Sequence, residues 1–158
     1  MRRMFGKVIV ELAEKDDKIV LLTGDVVQSM DSFIEKFPDR FFNVGLIEQT
    51  MIGIAAGMAL EGLRPVVYSI TPFLIERPFE QIKLNIDQQC LPVMLVGYDD
   101  YPTHGPTHKA LNARDLMDLF DNVIDYHPNN SEQVREDMER AYKRKMPAFI
   151  GLKRDKEL

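Results

Sequence analysis

The sequence predicts an α/β domain: a doubly wound parallel sheet covered by helices on both faces. Short apolar runs alternate with helical patterns along the whole chain. The runs are continuous, as in KIVLL (18–22) and LPVMLVG (91–97), with no inside–outside alternation. Strands of that kind are buried on both faces, which is the habit of parallel sheets. At 158 residues, with no repeat or linker, the chain suits one domain spanning 1–158.

Residues 3–15 place Phe5, Val8, Ile9 and Leu12 on one helical face, and 18–22 form the first strand. A helix over 29–37 is stopped by Pro38-Asp39, and 41–44 form a short strand. A helical run follows from 47 to 60, ended by Gly62 and Pro65, before a strand at 66–70. The pattern then predicts a long helix over 73–89, a strand over 91–97, and a polar loop over 98–111. A helix begins near Asn112, and the tail supplies a strand at 123–126, a helix at 131–143 and a strand at 148–152.

The helix at 47–60 reads MIGIAAGMAL after Glu48-Gln49-Thr50 and is apolar almost all round, which predicts burial. Glu48 stands alone near its head. With Gly45 as N-cap it falls at N3, where a glutamate completes a capping box; the alternative is a chemical role. Gly53 and Gly57 share one face and allow close approach of another backbone, which we expect at a subunit interface. In open α/β sheets ligands sit beyond the carboxyl ends of the strands. Those ends carry Asp25, residues 45–48, residues 71–73 and the loop from Asp99 to His108, so the candidate residues converge.

Hydrophobic content of 45%, charged content of 28% and a net charge of −5 describe an ordinary globular domain. They give no basic surface for nucleic acid or anionic membrane. The single cysteine, Cys90, and the absence of a secretory signal predict a reducing, cytoplasmic setting. The apolar run is too short to span a bilayer.

Four stretches in register, RFFNVGLIEQTMIGIAAGMALEGLRPVVYS, PFLIERPFEQI, LPVMLVG and GPTHKALNARDL, resemble the pyrimidine-binding domain of the transketolase family. The resemblance covers nearly the whole chain and implies the thiamine diphosphate-binding fold. It implies that Glu48 bonds N1′ of the cofactor's aminopyrimidine ring, where an acidic group assists proton removal. It implies that Phe73 lines the ring's pocket, and that His108 contacts substrate and handles protons. Asp25 matches a cofactor-site aspartate, Ser29 a substrate-phosphate serine, and Arg2 and Arg154 lie near phosphate-binding arginines. For both arginines solvated surface charge is the alternative.

Departures from the family pattern bear on substrate. The neighbouring pocket aromatics are replaced by Ile70 and Glu76, and Phe79 stands where a tyrosine is common. The loop before GPTH is short, His104 replaces an acidic residue, and Asp99 occupies a position held by histidine in members that use sugar phosphates. A carboxylate there would repel a phosphate.

The family holds its diphosphate and a divalent cation through a Gly-Asp-Gly motif, which this sequence lacks. The resemblance therefore implies a separate diphosphate-binding subunit carrying Mg²⁺ or Ca²⁺, in a hetero-oligomer of heterotetramer type, acting on a sugar or sugar phosphate. Alternatives are a subunit of another split thiamine diphosphate enzyme, such as a 2-oxoacid decarboxylase, a dehydrogenase or a deoxyxylulose phosphate synthase, or an inert scaffold that kept the fold.

Overall fold

The computed structural model describes residues 1–101 and 105–154. Six parallel strands form one sheet in the order β2-β1-β3-β4-β6-β5. They are β1 (Ile19–Thr23), β2 (Phe41–Asn43), β3 (Arg64–Ile70), β4 (Met94–Tyr98), β5 (Ile124–Tyr126) and β6 (Ala148–Leu152). Every residue of β1, β4 and β6 is buried, as continuous apolar runs require.

On one face lie α1 (Arg2–Lys15), α2 (Asp31–Lys36) and α6 (Ser131–Arg144). Phe5, Ile9, Phe33, Val134 and Met138 pack there against Leu21, Tyr68 and Ile150. On the other face α3 (Glu48–Leu60) and the helical segment after β3 enclose Leu22, Val67, Leu95 and Phe149. The doubly wound arrangement is as the sequence predicts. Strand order reverses at β1, with β2 on one side and β3 on the other, so the site expected in such sheets lies at that edge of the crevice.

Three local expectations are corrected. The helix expected over 73–89 is broken into a π-helical turn (Pro72–Glu76), α4 (Phe79–Gln81) and a second π-helical turn (Ile82–Asp87). Pro78 is the reason: it has no N–H to donate and its ring crowds the preceding turn, so Arg77 N–H bonds the Pro72 carbonyl in a widened loop. The fourth strand begins at Met94, after Leu91 N–H has closed the preceding helical segment on Ile86.

The second correction is that α3 is buried on one side only. Met51, Ile52, Ala55 and Ala59 are enclosed, while Leu46, Ile47 and Leu60 are 66%, 47% and 63% exposed. A Cβ placed on Gly53 or Gly57 would meet nothing within 4 Å, so their close approach is not made within this chain. An apolar circumference does not say which side its own sheet covers. The third correction concerns the helix start: the N-cap is Ile47 and Glu48 is the first helical residue. Gly45, at φ 75°, turns the chain out of β2, and two further residues pass before the helix begins. The capping box is not formed.

Candidate functional site

Asn43 organises the crevice edge. Its Oδ1 accepts from the backbone N–H groups of Asp25 and Gly45, both at 3.1 Å, tying the ends of β1 and β2 together. Gly24 lies so close that a Cβ there would come within 2.8 Å of the Gly45 carbonyl oxygen. The turn thereby set delivers Glu48 to the first position of α3, 7% exposed. A carboxylate at that end is favoured by the helix dipole.

Glu48 has a definite partner. Arg77 Nη1 donates to Glu48 Oε1 at 2.5 Å, and the same guanidinium lies over the Phe73 ring, 3.8 Å from its centre. Phe73 is itself 7% exposed at the end of β3. The imidazole of His108 meets Phe73 edge-on with ring centres 4.9 Å apart, and stacks on Tyr101 at 5.9 Å. The structure thus brings Glu48, Phe73 and His108, far apart in sequence, into one line of contacts. His108 ends a short 3₁₀ turn (Pro106–His108) entered through Gly105 at φ 92°. Leu111 N–H donates to Glu76 Oε1 at 2.7 Å, anchoring the far side of that loop to the π-helical turn.

Tyr101 continues the line to Tyr98, ring centres 5.4 Å apart. The Arg2 guanidinium lies 4.2 Å over Tyr98, and Arg154 reaches the Tyr98 hydroxyl at 3.4 Å while its backbone N–H donates to Asp100. Both arginines expected near a phosphate therefore stand at the Tyr98 end. Asp25 is exposed, at φ 61° in the left-handed region, on the loop that abuts Gly45. Ser29, at φ 70°, lays its carbonyl against Gly6 of α1, where any side chain would overlap it. Its surroundings are a shallow cavity with Arg3, Lys7 and Asp31 on its walls. His104 lies outside the described residues.

Asp99 opens on a different space. A cavity of about 300 Å³ at the ends of β3 to β6 is walled by Thr71, Asp99, Arg114, His127, Asn129 and Lys153, among others. Thr71 Oγ1 donates to Asp99 Oδ1 at 2.6 Å, and His127 bonds Asp125 at 2.9 Å. Gly151 lets Asp99 and His127 close over its Cα: a Cβ there would overlap the Asp99 carboxylate and stand 3.1 Å from His127 Nδ1. The cations Arg114 and Lys153 share this space with the carboxylate.

Burial pushes the Asp99 carboxyl above the usual aspartate range, against the lowering effects of the Thr71 hydrogen bond and the nearby His127. A raised acid contributes stability below its unfolded-chain value and loses it as pH climbs through the folded value. Asp99→Asn should therefore melt at a higher temperature than the parent at neutral pH, with the gap closing in acid. Identical midpoints at neutral pH would refute the assignment.

Arg77, Asn43 and His127 are the site residues that sequence reasoning missed, whereas Thr71 was among the strand-end candidates. For Arg77 a signal was present: a cation followed by proline inside an otherwise helical run. Among the described residues, no group of three or more His, Cys, Asp or Glu could hold a metal ion, and no helix is long and apolar enough to cross a membrane.

Comparison with known proteins is consistent along the chain. The family profile described as "Transketolase, pyrimidine binding domain" matches residues 1–156. A 1-deoxy-D-xylulose-5-phosphate synthase from Aquifex aeolicus (strain VF5) is 37% identical over 142 residues, covering 84% of this chain and 22% of that protein. The 6-deoxy-6-sulfo-D-fructose transketolase subunit SqwH of Clostridium sp. (strain MSTE9) is 32% identical over 159 residues, covering 98% of this chain and 49% of that one. A solved structure described as "Split gene transketolase, inactive beta4 tetramer" superposes with a TM-score of 0.87 at 32% identity, covering 98% of this chain and 51% of that one. The chain thus spans about half of the length of two of these relatives and 22% of the third.

Proposed function

We propose a function on the premise that this chain belongs to the transketolase pyrimidine-binding domain family, which the match over residues 1–156 shows. The proposal is a single domain, 1–158, that supplies the aminopyrimidine half-site of a two-chain, thiamine diphosphate-dependent transketolase. A separate subunit holds the diphosphate and its Mg²⁺ or Ca²⁺. The observation that carries this reading is the line of contacts beyond the strand ends from Glu48 through Arg77 to Phe73 and on to His108.

The half-site can be tested against the cofactor's ring by what Glu48 and Phe73 already bind. A guanidinium is a flat, nitrogen-edged group, and it bonds the Glu48 carboxylate by its edge while its face covers Phe73. An aminopyrimidine asks for the same two contacts, so the residues fit. When bound, thiamine diphosphate supplies the nucleophilic carbon that carries a two-carbon ketol unit between sugars. Glu48 would present its carboxyl group to N1′ and hold or give a proton at that atom. Phe73 covers the ring face and helps to exclude water. His108, beside Phe73 on the loop, takes or returns a proton at the substrate. Asp25 closes the β1 end of the half-site.

The uncovered stripe of Leu46, Ile47, Gly53, Gly57 and Leu60 supports a subunit interface beside Glu48. SqwH and the split-gene neighbour support the two-chain organisation, since one is named as a transketolase subunit and the other as a split-gene transketolase. Asp99 standing where the family pattern has a histidine favours a substrate other than the ordinary pentose and hexose phosphates, with Arg114 and Lys153 in the same cavity offsetting part of its charge. His104, His108, Ser29 and Arg154 complete the substrate-binding set. The identity to the Aquifex synthase favours a second reading, a subunit of deoxyxylulose phosphate synthase type.

The test is reconstitution. Alone with thiamine diphosphate and Mg²⁺, the chain should turn over no ketose; with a chain carrying the Gly-Asp-Gly domain, activity should emerge. Robust turnover by the purified chain alone would place the diphosphate site elsewhere and sink the two-chain reading.

A further inference from the structure

We propose that Arg77 is a resident placeholder for the aminopyrimidine ring, holding both Glu48 and Phe73 until the ring displaces it; this rests on the cofactor reading above. Each contact alone would be an ordinary surface interaction. Together they use the carboxylate and the aromatic face that define the half-site: Nη1 to Glu48 Oε1 at 2.5 Å, and the guanidinium carbon 3.8 Å from the centre of Phe73. At that stacking distance no second planar group fits between the guanidinium and the ring. A ring that takes the same Glu48 oxygen and the same side of Phe73 has to displace Arg77.

The backbone explains why Arg77 reaches both groups. Phe73 and Arg77 stand four positions apart on one helical segment, the spacing at which side chains share a face, so the guanidinium lies back over the Phe73 ring. The side chain also has a way out, since it is 41% exposed while Glu48's is 9% exposed. Glu48 is thus fixed and Arg77 is the movable partner. Arginine suits the task because its fork bonds a carboxylate while its plane stacks on an aromatic ring, which lysine cannot do at once. The placeholder keeps a buried carboxylate paired and an aromatic face covered, at the expense of apparent affinity for the ring.

The test uses the full chain and the free base 4-amino-5-hydroxymethyl-2-methylpyrimidine as probe, with binding followed by NMR for the parent, Arg77→Ala and Arg77→Lys. The side-chain Nε–H signal of Arg77 in the parent should move in step with probe occupancy. Arg77→Ala should bind the probe about three- to tenfold more tightly, as expected when a partly exposed ion pair and a stacking contact no longer compete. Arg77→Lys should also bind more tightly than the parent, and it carries the comparison if the alanine variant melts early. Equal or weaker binding by the variants, with the parent binding, overturns the placeholder and leaves the cofactor reading standing; Arg77 would then orient Glu48 for the ring. Failure of every chain to bind the probe overturns both.

Discussion

In the two-chain enzyme proposed above, replacing Glu48 with Gln should slow turnover by about 10²- to 10⁴-fold or more, the usual contribution of a positioned acid or base, while the fold survives. Glutamine keeps the shape and can still accept a hydrogen bond from Arg77. What it loses is the ionisable proton that the ring nitrogen needs. The structure removes the competing explanation in which Glu48 serves as a cap, since Ile47 is the N-cap and Glu48 turns its carboxylate to Arg77. Hydrogen–deuterium exchange at the cofactor's C2, parent against Glu48→Gln, reads the chemical step directly. Equal exchange rates with matched melting curves would reduce Glu48 to an ion-pair partner of Arg77.

Asp87→Ala should destabilise the fold by about 3 kcal/mol, because it removes the acceptor of three backbone amides at once, one buried and two part-buried. Asp87 is 3% exposed at the end of the second π-helical turn. Its carboxylate accepts from the backbone N–H groups of Asn122 at 2.7 Å, Val123 at 3.1 Å and Asp121 at 3.4 Å. Those amides lead into β5, so the loss loosens the strand that places His127 beside the Asp99 cavity. For a domain of this size the loss corresponds to a fall in melting midpoint of roughly 10 °C. Asp87→Asn, which keeps one acceptor oxygen, should lose clearly less. A change below about 1 kcal/mol in Asp87→Ala would mean that water satisfies the same amides.

Glu48 and Arg77 are 29 positions apart in the chain, and that separation marks the boundary between what was legible in the sequence and what was not. The sequence by itself determined the alternation of strands and helices, the parallel sheet, and the candidacy of Glu48, Phe73 and His108. Strand burial is a local property written into unbroken apolar runs, and turn residues at the ends show where the chain must reverse. Only the tertiary structure decided which side of α3 is covered, because a helix apolar all round carries no directional signal. It also decided the partners: Arg77 on Glu48 and Phe73, Asp99 against Thr71 and His127, and Asp87 under the turn before β5. These pairings depend on strand order and on the widened helical turns at Pro78. Both arise from long-range packing and backbone hydrogen bonding, which bring together groups that no periodicity in the chain connects.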